Sequence, residues 1–193
     1  MFSEKANSVD TIATSVTSGG VLDGQIEAGG AFTVQCFDKD GNLKWEAEKH
    51  NLVVNVGLKD MNDKYFLGSS YTAAWFIGLY GAAASNNPAA GDTMSSHAGW
   101  VEVTAYSQAT RPAATFGAAT TADPSVISNS ASVAVFTING TTTVGGAFLT
   151  SNSTKGGTTG TLFSASDFTA PGDRSVVSGD TLNVLYSFSL DAA

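Results

Sequence analysis

Charge is what this chain has least of. Lys, Arg, Asp and Glu make up 13% of its 193 residues, about half the roughly 25% of an ordinary globular protein. Basic residues are fewest, nine against seventeen acidic, for a net charge of −8. That balance excludes a nucleic-acid partner, because phosphate binding needs clustered Lys and Arg. Cys36 stands alone, which leaves no internal disulfide and no thiolate metal cluster and suits assembly in a reducing cytoplasm. There are two histidines, His50 and His97, and a zinc site needs three or four ligands. The longest apolar run, 73–84, falls well short of the roughly 20 residues of a membrane helix, so no membrane is expected as a partner. Glu4, Lys5 and Asp10 interrupt the N-terminal stretch, which does not read as a signal peptide.

What is present suits extended structure. Small and β-branched residues dominate, with 21 Gly, while 42% hydrophobic residues and eleven Phe supply a core. A chain of this length fits one domain and buries roughly 70% of its unfolded surface. The clearest pattern lies at 180–190, where Leu182, Val184, Tyr186, Phe188 and Leu190 alternate with mostly polar neighbours. Such alternation predicts a half-buried antiparallel strand closing a β-domain. Further strands are predicted at 21–26 and 31–37, separated by Ala28-Gly29-Gly30, and at 43–48, 100–106, 131–138, 142–149 and 161–168. The dense apolar stretch 71–80 reads as a strand buried on both faces, and an extended piece runs from Arg111 through Phe116. Asp38-Lys39-Asp40-Gly41-Asn42 marks the turn of a charged hairpin over 32–48.

One helix is predicted, over 55–66. Leu58, Met61, Tyr65 and Phe66 fall at helical spacing, with Asn55 as N-cap and Gly68 as terminator. Residues 1–20, rich in Ser and Thr, read as an extended arm, held by a neighbouring subunit or paired as an edge strand on its own domain. The expected fold is therefore mainly β: an antiparallel β-sandwich, jelly-roll-like, spanning 21–193, with one short amphipathic helix and the N-terminal arm.

No catalytic, cofactor-binding or metal-ligating set is expected. Asp38 to Asn42 resembles the start of a calcium loop, but Leu43 and Lys49 stand where an EF-hand requires Gly and Glu. No Gly-x-Ser-x-Gly elbow occurs, and Glu102 is the only glutamate after Glu48, a poor supply for acid–base work. Trp45, Trp75 and Trp100 read as core or subunit interface before they read as a sugar-stacking platform. Asn139-Gly140-Thr141 and Asn152-Ser153-Thr154 match the glycosylation pattern and read as turns.

Asn51-Leu52-Val53-Val54-Asn55-Val56-Gly57-Leu58 and Asp63-Lys64-Tyr65-Phe66 open a pattern that continues through Ala74-Trp75-Phe76-Ile77-Gly78-Leu79 and Ala90-Gly91-Asp92-Thr93-Met94. Gly99-Trp100-Val101-Glu102-Val103-Thr104-Ala105-Tyr106-Ser107 and Thr110-Arg111-Pro112 follow. Val144-Gly145-Gly146-Ala147-Phe148-Leu149, Gly160-Thr161-Leu162-Phe163 and Ser178-Gly179-Asp180-Thr181-Leu182 close it. Over roughly 50–190 the pattern resembles a family of short virion structural proteins of tailed bacteriophages. The resemblance implies a non-enzymatic structural protein of the virion, assembled in the bacterial host cytoplasm as a homo-oligomer, a dimer or trimer. It would be a capsid decoration (cement) protein on the major capsid protein lattice. A neck, collar or tail-fibre adaptor and a carbohydrate-binding host-attachment module are the alternatives, and a hydrolase is the remotest. The arm 1–20 and the hairpin 32–48 are the expected lattice-binding parts.

Overall fold

A computed structural model describes residues 26–81, 87–168 and 172–192. The arm 1–20 and the strand expected at 21–26 lie outside these residues, save Ile26 itself. In chain order the elements are β1 (Ile26–Phe37), β2 (Leu43–His50), β3 (Leu52–Val53), α1 (Asn55–Phe66), β4 (Phe76–Gly81), β5 (Val101–Glu102), β6 (Ser125–Ser128), β7 (Ala134–Thr137), β8 (Thr142–Val144), β9 (Gly146–Thr150), β10 (Leu162–Asp167), β11 (Arg174–Val176) and β12 (Thr181–Ala192). The first sheet has the order β2-β1-β12-β6, with β7 also on β12, and the second β3-β10-β9-β4-β5; β8 and β11 form a separate ribbon. Every pair is antiparallel. The fold is thus the mainly β antiparallel sandwich with one helix that the alternation implies. Two five-stranded sheets and a ribbon do not establish the eight-stranded jelly-roll order.

The core forms where the alternating faces of the two sheets meet. Phe32, Val34 and Cys36 of β1 and Leu182, Val184 and Tyr186 of β12 pack in one cluster with Ile77, Leu79, Ala147, Leu149 and Phe163 of the second sheet. A second cluster covers the other face of that sheet, with Tyr80, Phe148, Leu162 and Ala165 under Met94 and Trp100 of the loop before β5. This is why β4 is apolar throughout: Ile77–Tyr80 are buried because layers lie on both sides of it.

β12 is the central strand of its sheet. β1 pairs with it along its whole length. On its other edge β7 pairs with Thr181–Val184 and β6 with Ser187–Leu190. The two short strands leave a gap at Leu185 and Tyr186, and Asn129 fills it. Its Oδ1 accepts from Tyr186 N at 2.7 Å, its Nδ2 donates to Val184 O at 3.2 Å and its backbone N donates to Tyr186 O at 3.2 Å. One fully buried side chain thereby completes a ladder that the chain breaks.

Several expectations are corrected. Ala28-Gly29-Gly30 does not separate two strands; β1 runs straight through it. Gly30 is needed for close approach, since a Cβ there would lie 2.6 Å from Ser187 O and 3.0 Å from the Tyr186 hydroxyl. Asn55 is the first helical residue and not the cap. Val54 holds the N-cap position without a side-chain bond, and Asn55 N donates instead to Ala90 O at 2.8 Å. The helix does end at Gly68, whose φ of +60° lies in the left-handed region. Gly57, inside the helix, lets it rest on β10, because a Cβ would sit 2.4 Å from Phe163 O.

The stretch 142–149 is two strands in two sheets, split at Gly145, whose N–H goes to Tyr80 O and whose carbonyl takes Phe168 N. Of 100–106 only Val101–Glu102 is strand; Tyr106 makes an isolated bridge to Ile138, and Ala113, in the 111–116 piece, one to Phe76. Of 131–138 Ala134–Thr137 is strand. Residues 71–75 precede β4 without joining it. β3, β6 and β11 went unpredicted, being two to four residues long.

Candidate interaction surface

The 38–42 loop is a hairpin turn. Asp38 Oδ1 accepts from Asp40 N and Asn42 N at 2.9 and 2.8 Å, Asn42 Nδ2 adds a bond to Oδ2 at 3.0 Å, and Gly41 supplies the positive φ of +85°. These bonds, Asn42 foremost, hold the Asp38 carboxyl below the usual range. The strand that follows is the edge of its sheet and carries exposed Glu46 and Glu48. Charged side chains on an edge discourage strand addition by another chain.

The histidines are far from each other in role. His97 stacks on Trp100 with centroids 3.8 Å apart, its Nδ1 3.0 Å from Trp100 O. The His50 carbonyl accepts from Ser166 Oγ at 3.1 Å where the chain crosses from β2 to β3. Among the described residues no group of three or more His, Cys, Asp and Glu is placed to hold a metal ion, and no helix is long and apolar enough to cross a membrane.

The tryptophans do not form one platform. Trp100 is buried, with Nε1 donating to Asp92 Oδ2 at 3.1 Å. Trp45 packs half-buried on the main core, and Trp75 sits by the helix with Nε1 donating to the Tyr71 hydroxyl at 2.6 Å. Asn152 of the second sequon is a turn residue, its Oδ1 accepting from Thr154 N at 2.7 Å.

Cys36 lies in the core with its thiol pushed up to about 11, by burial first and then by Asp180. The thiolate is the reactive form. Cys36 is therefore expected to stay unmodified by a disulfide reagent at pH 8 in the native protein and to react fully once denatured. Rapid native labelling would contradict its place in the core.

Glu102 and Arg111 form the most deeply buried ion pair among the described residues. Arg111 is 1% exposed. Its Nε and Nη2 meet the two Glu102 oxygens at 2.9 and 2.7 Å, and Nη1 and Nη2 donate to Asn152 O and Gly157 O at 2.8 and 2.7 Å. Glu102 Oε2 also takes Gly156 N at 2.8 Å. The pair ties β5, the segment at 111 and the loop between β9 and β10 into one unit. Its charges are neutralised inside the protein, so this carboxylate has a structural post.

The apolar surface concentrates around α1. At its C-terminus Tyr65, Phe66 and Leu67 are 83%, 75% and 76% exposed, with Leu58 and Tyr71 also exposed. The Tyr65 and Phe66 rings meet edge to face at 4.9 Å, and Lys64 Nζ lies 5.6 Å from the Tyr71 ring centroid. Behind the patch a cleft of about 510 Å³ opens between the sheets, walled by Met61, Trp75, Phe116, Ile127, Phe163 and Phe188. Among the described residues that line it, only Asp60 and Lys64 bring charge. The sequence placed Tyr65 and Phe66 on the apolar face of a helix packed on a sheet; in the fold they face solvent, because Gly57 and Met61 make the contact with the sandwich. A contiguous exposed apolar patch of this kind is a binding feature more than a catalytic one.

Comparison with known proteins found no similarity: no family model, no curated protein and no solved structure matches the chain.

Proposed function

We propose that the chain is a non-enzymatic virion structural protein, a capsid decoration or cement protein that binds the assembled major-capsid-protein lattice and stabilises it. The observation that carries the reading is the exposed cluster Tyr65, Phe66 and Leu67 beside Tyr71. The phage-virion resemblance over roughly 50–190 gives that patch its partner. The arm 1–20 and the hairpin 32–48 are the further lattice contacts.

The mechanism is linkage. A protein that binds only the assembled shell stabilises it by RT ln(1 + [L]/Kd), about 2.7 kcal/mol per site at a hundredfold excess over Kd. Repetition over the shell adds avidity, so each contact can be weak. Replacing Phe66 and Leu67 together by serine is expected to abolish binding to assembled shells while leaving the unfolding midpoint within about 2 °C of the parent, since both side chains are already in water. Co-sedimentation with shells that lack the protein reads this directly. Full binding by the double variant would remove the patch from the proposal. A neck or tail position, the alternative, would show instead as binding to connector or tail assemblies and not to shells.

A further inference from the structure

The cleft of about 510 Å³ beside α1 is of small-molecule size. One wall is a chain of rings set edge to face. Trp75 meets Phe163 with centroids 5.4 Å apart, and Phe163 meets Phe188 at 5.4 Å. Phe188 belongs to β12 in the first sheet, Phe163 to β10 in the second, and Trp75 immediately precedes β4. Both sheets therefore build the wall, and its apolar surface is fixed by the packing of the sandwich.

The polar atoms around the cleft are engaged, with one exception. Trp75 Nε1 donates to the Tyr71 hydroxyl at 2.6 Å. The Tyr186 hydroxyl accepts from Asn51 Nδ2 and Ser164 Oγ at 3.0 and 3.2 Å. Lys64 Nζ donates to Ser70 O at 3.1 Å and lies 5.6 Å from the Tyr71 ring centroid. The exception is Asp60, one helical turn before Lys64. Its neighbour Lys59 is paired with Asp63, and among the described residues no group bonds to the Asp60 carboxylate. Asp60 lines the cleft and is half-buried there.

We infer that the cleft binds a small organic cation, with an apolar body against the rings and an ammonium group paired with Asp60. The wall selects the body, since each buried methylene strengthens binding about fourfold. Asp60 selects the head: the one unpaired charge among the described lining residues is negative, and the cation beside it is already turned to Ser70 and Tyr71. The net charge of −8 also raises the local concentration of cations. The site stands apart from Phe66 and Leu67 and from the capsid reading.

Calorimetric titration of the full chain with octylammonium, octanol and octanoate, each below its micellar range, tests the inference. Octylammonium is expected to bind about threefold to fivefold more tightly than octanol, with octanoate weakest. Hexylammonium is expected to bind more weakly than octylammonium by about fourfold per methylene. Asp60→Asn is expected to bring octylammonium down to the affinity of octanol while leaving octanol unchanged. Ala73→Trp, at an exposed position on the cleft, is expected to weaken all three ligands by about tenfold or more. Octanoate binding as tightly as octylammonium overturns the inference, as does an ammonium preference that survives Asp60→Asn. The absence of saturable octylammonium binding also overturns it, as does binding that Ala73→Trp leaves unchanged, which would place the ligand elsewhere.

Discussion

Arg111→Met is expected to lower the stability of the protein by about 3–5 kcal/mol, the cost of leaving a buried charge without its partner. At about 2–4 °C per kcal/mol for a domain of this size, the unfolding midpoint falls by roughly 10 °C. The guanidinium holds both Glu102 oxygens and two backbone carbonyls, of Asn152 and Gly157. Its loss leaves Glu102 with Gly156 N as the remaining partner among these, and frees two carbonyls of the loop between β9 and β10. Methionine preserves much of the packing against Phe148, whose ring centroid lies 5.3 Å from the guanidinium carbon, so the effect reports charge and hydrogen bonding and not a cavity. Adding Glu102→Gln to that variant removes the stranded charge and is expected to recover part of the loss. Denaturant unfolding of the parent, both single variants and the double variant measures the coupling. A loss under about 1 kcal/mol for Arg111→Met would mean that the pair is solvated and the loop is not fastened through it.

Asn129→Ala is the second large effect. The side chain stands in for a missing ladder residue, and its removal leaves Tyr186 N and Val184 O buried without that partner. A stranded buried group costs about 1–3 kcal/mol, so two place the expected loss at about 2–5 kcal/mol. Asn129→Asp keeps the acceptor for Tyr186 N but puts an oxygen against Val184 O, and is expected to be at least as damaging. Amide exchange locates the effect: Tyr186 N–H should lose protection first, at the centre of the strand that both β6 and β7 need. Unchanged exchange at Tyr186 would show that water or a backbone shift replaces the side chain.

Both sites bear on what can be read from a sequence of this kind. Alternation marked β12 and β1 because their side chains divide cleanly between core and surface. The helix over 55–66 was legible through its 3.6-residue period, although Leu58, Tyr65 and Phe66, three of the four residues that set the period, are exposed. The break at Gly145 was not, because a strand that changes sheets keeps its hydrophobic run: Val144 and Ala147 are equally buried in different pairings. Gly30 looked like punctuation, since the letter is the same whether glycine makes a turn or admits a neighbouring hydroxyl. Asn129 carried no signal, as an Asn among serines reads as a loop until Tyr186 and Val184 are brought beside it from fifty-five or more residues away.

The interaction surface was legible only in outline. Tyr65 and Phe66 belonged to the helical apolar stripe, so the sequence pointed them at the sandwich. The fold turns them outward because α1 makes its closest approach through Gly57, against Phe163 O. Glu102 and Arg111 lay in separate motifs of the virion resemblance, and only the fold joins them.

The measurement that bears most directly on the central claim is the copy number of this chain in purified phage particles, by quantitative mass spectrometry against the major capsid protein. The account predicts hundreds of copies, in fixed ratio to the shell, and particles that open at lower temperature when the protein is missing. About a dozen copies would contradict shell decoration and place the chain at the neck or tail, and absence from the particle would contradict a structural role altogether.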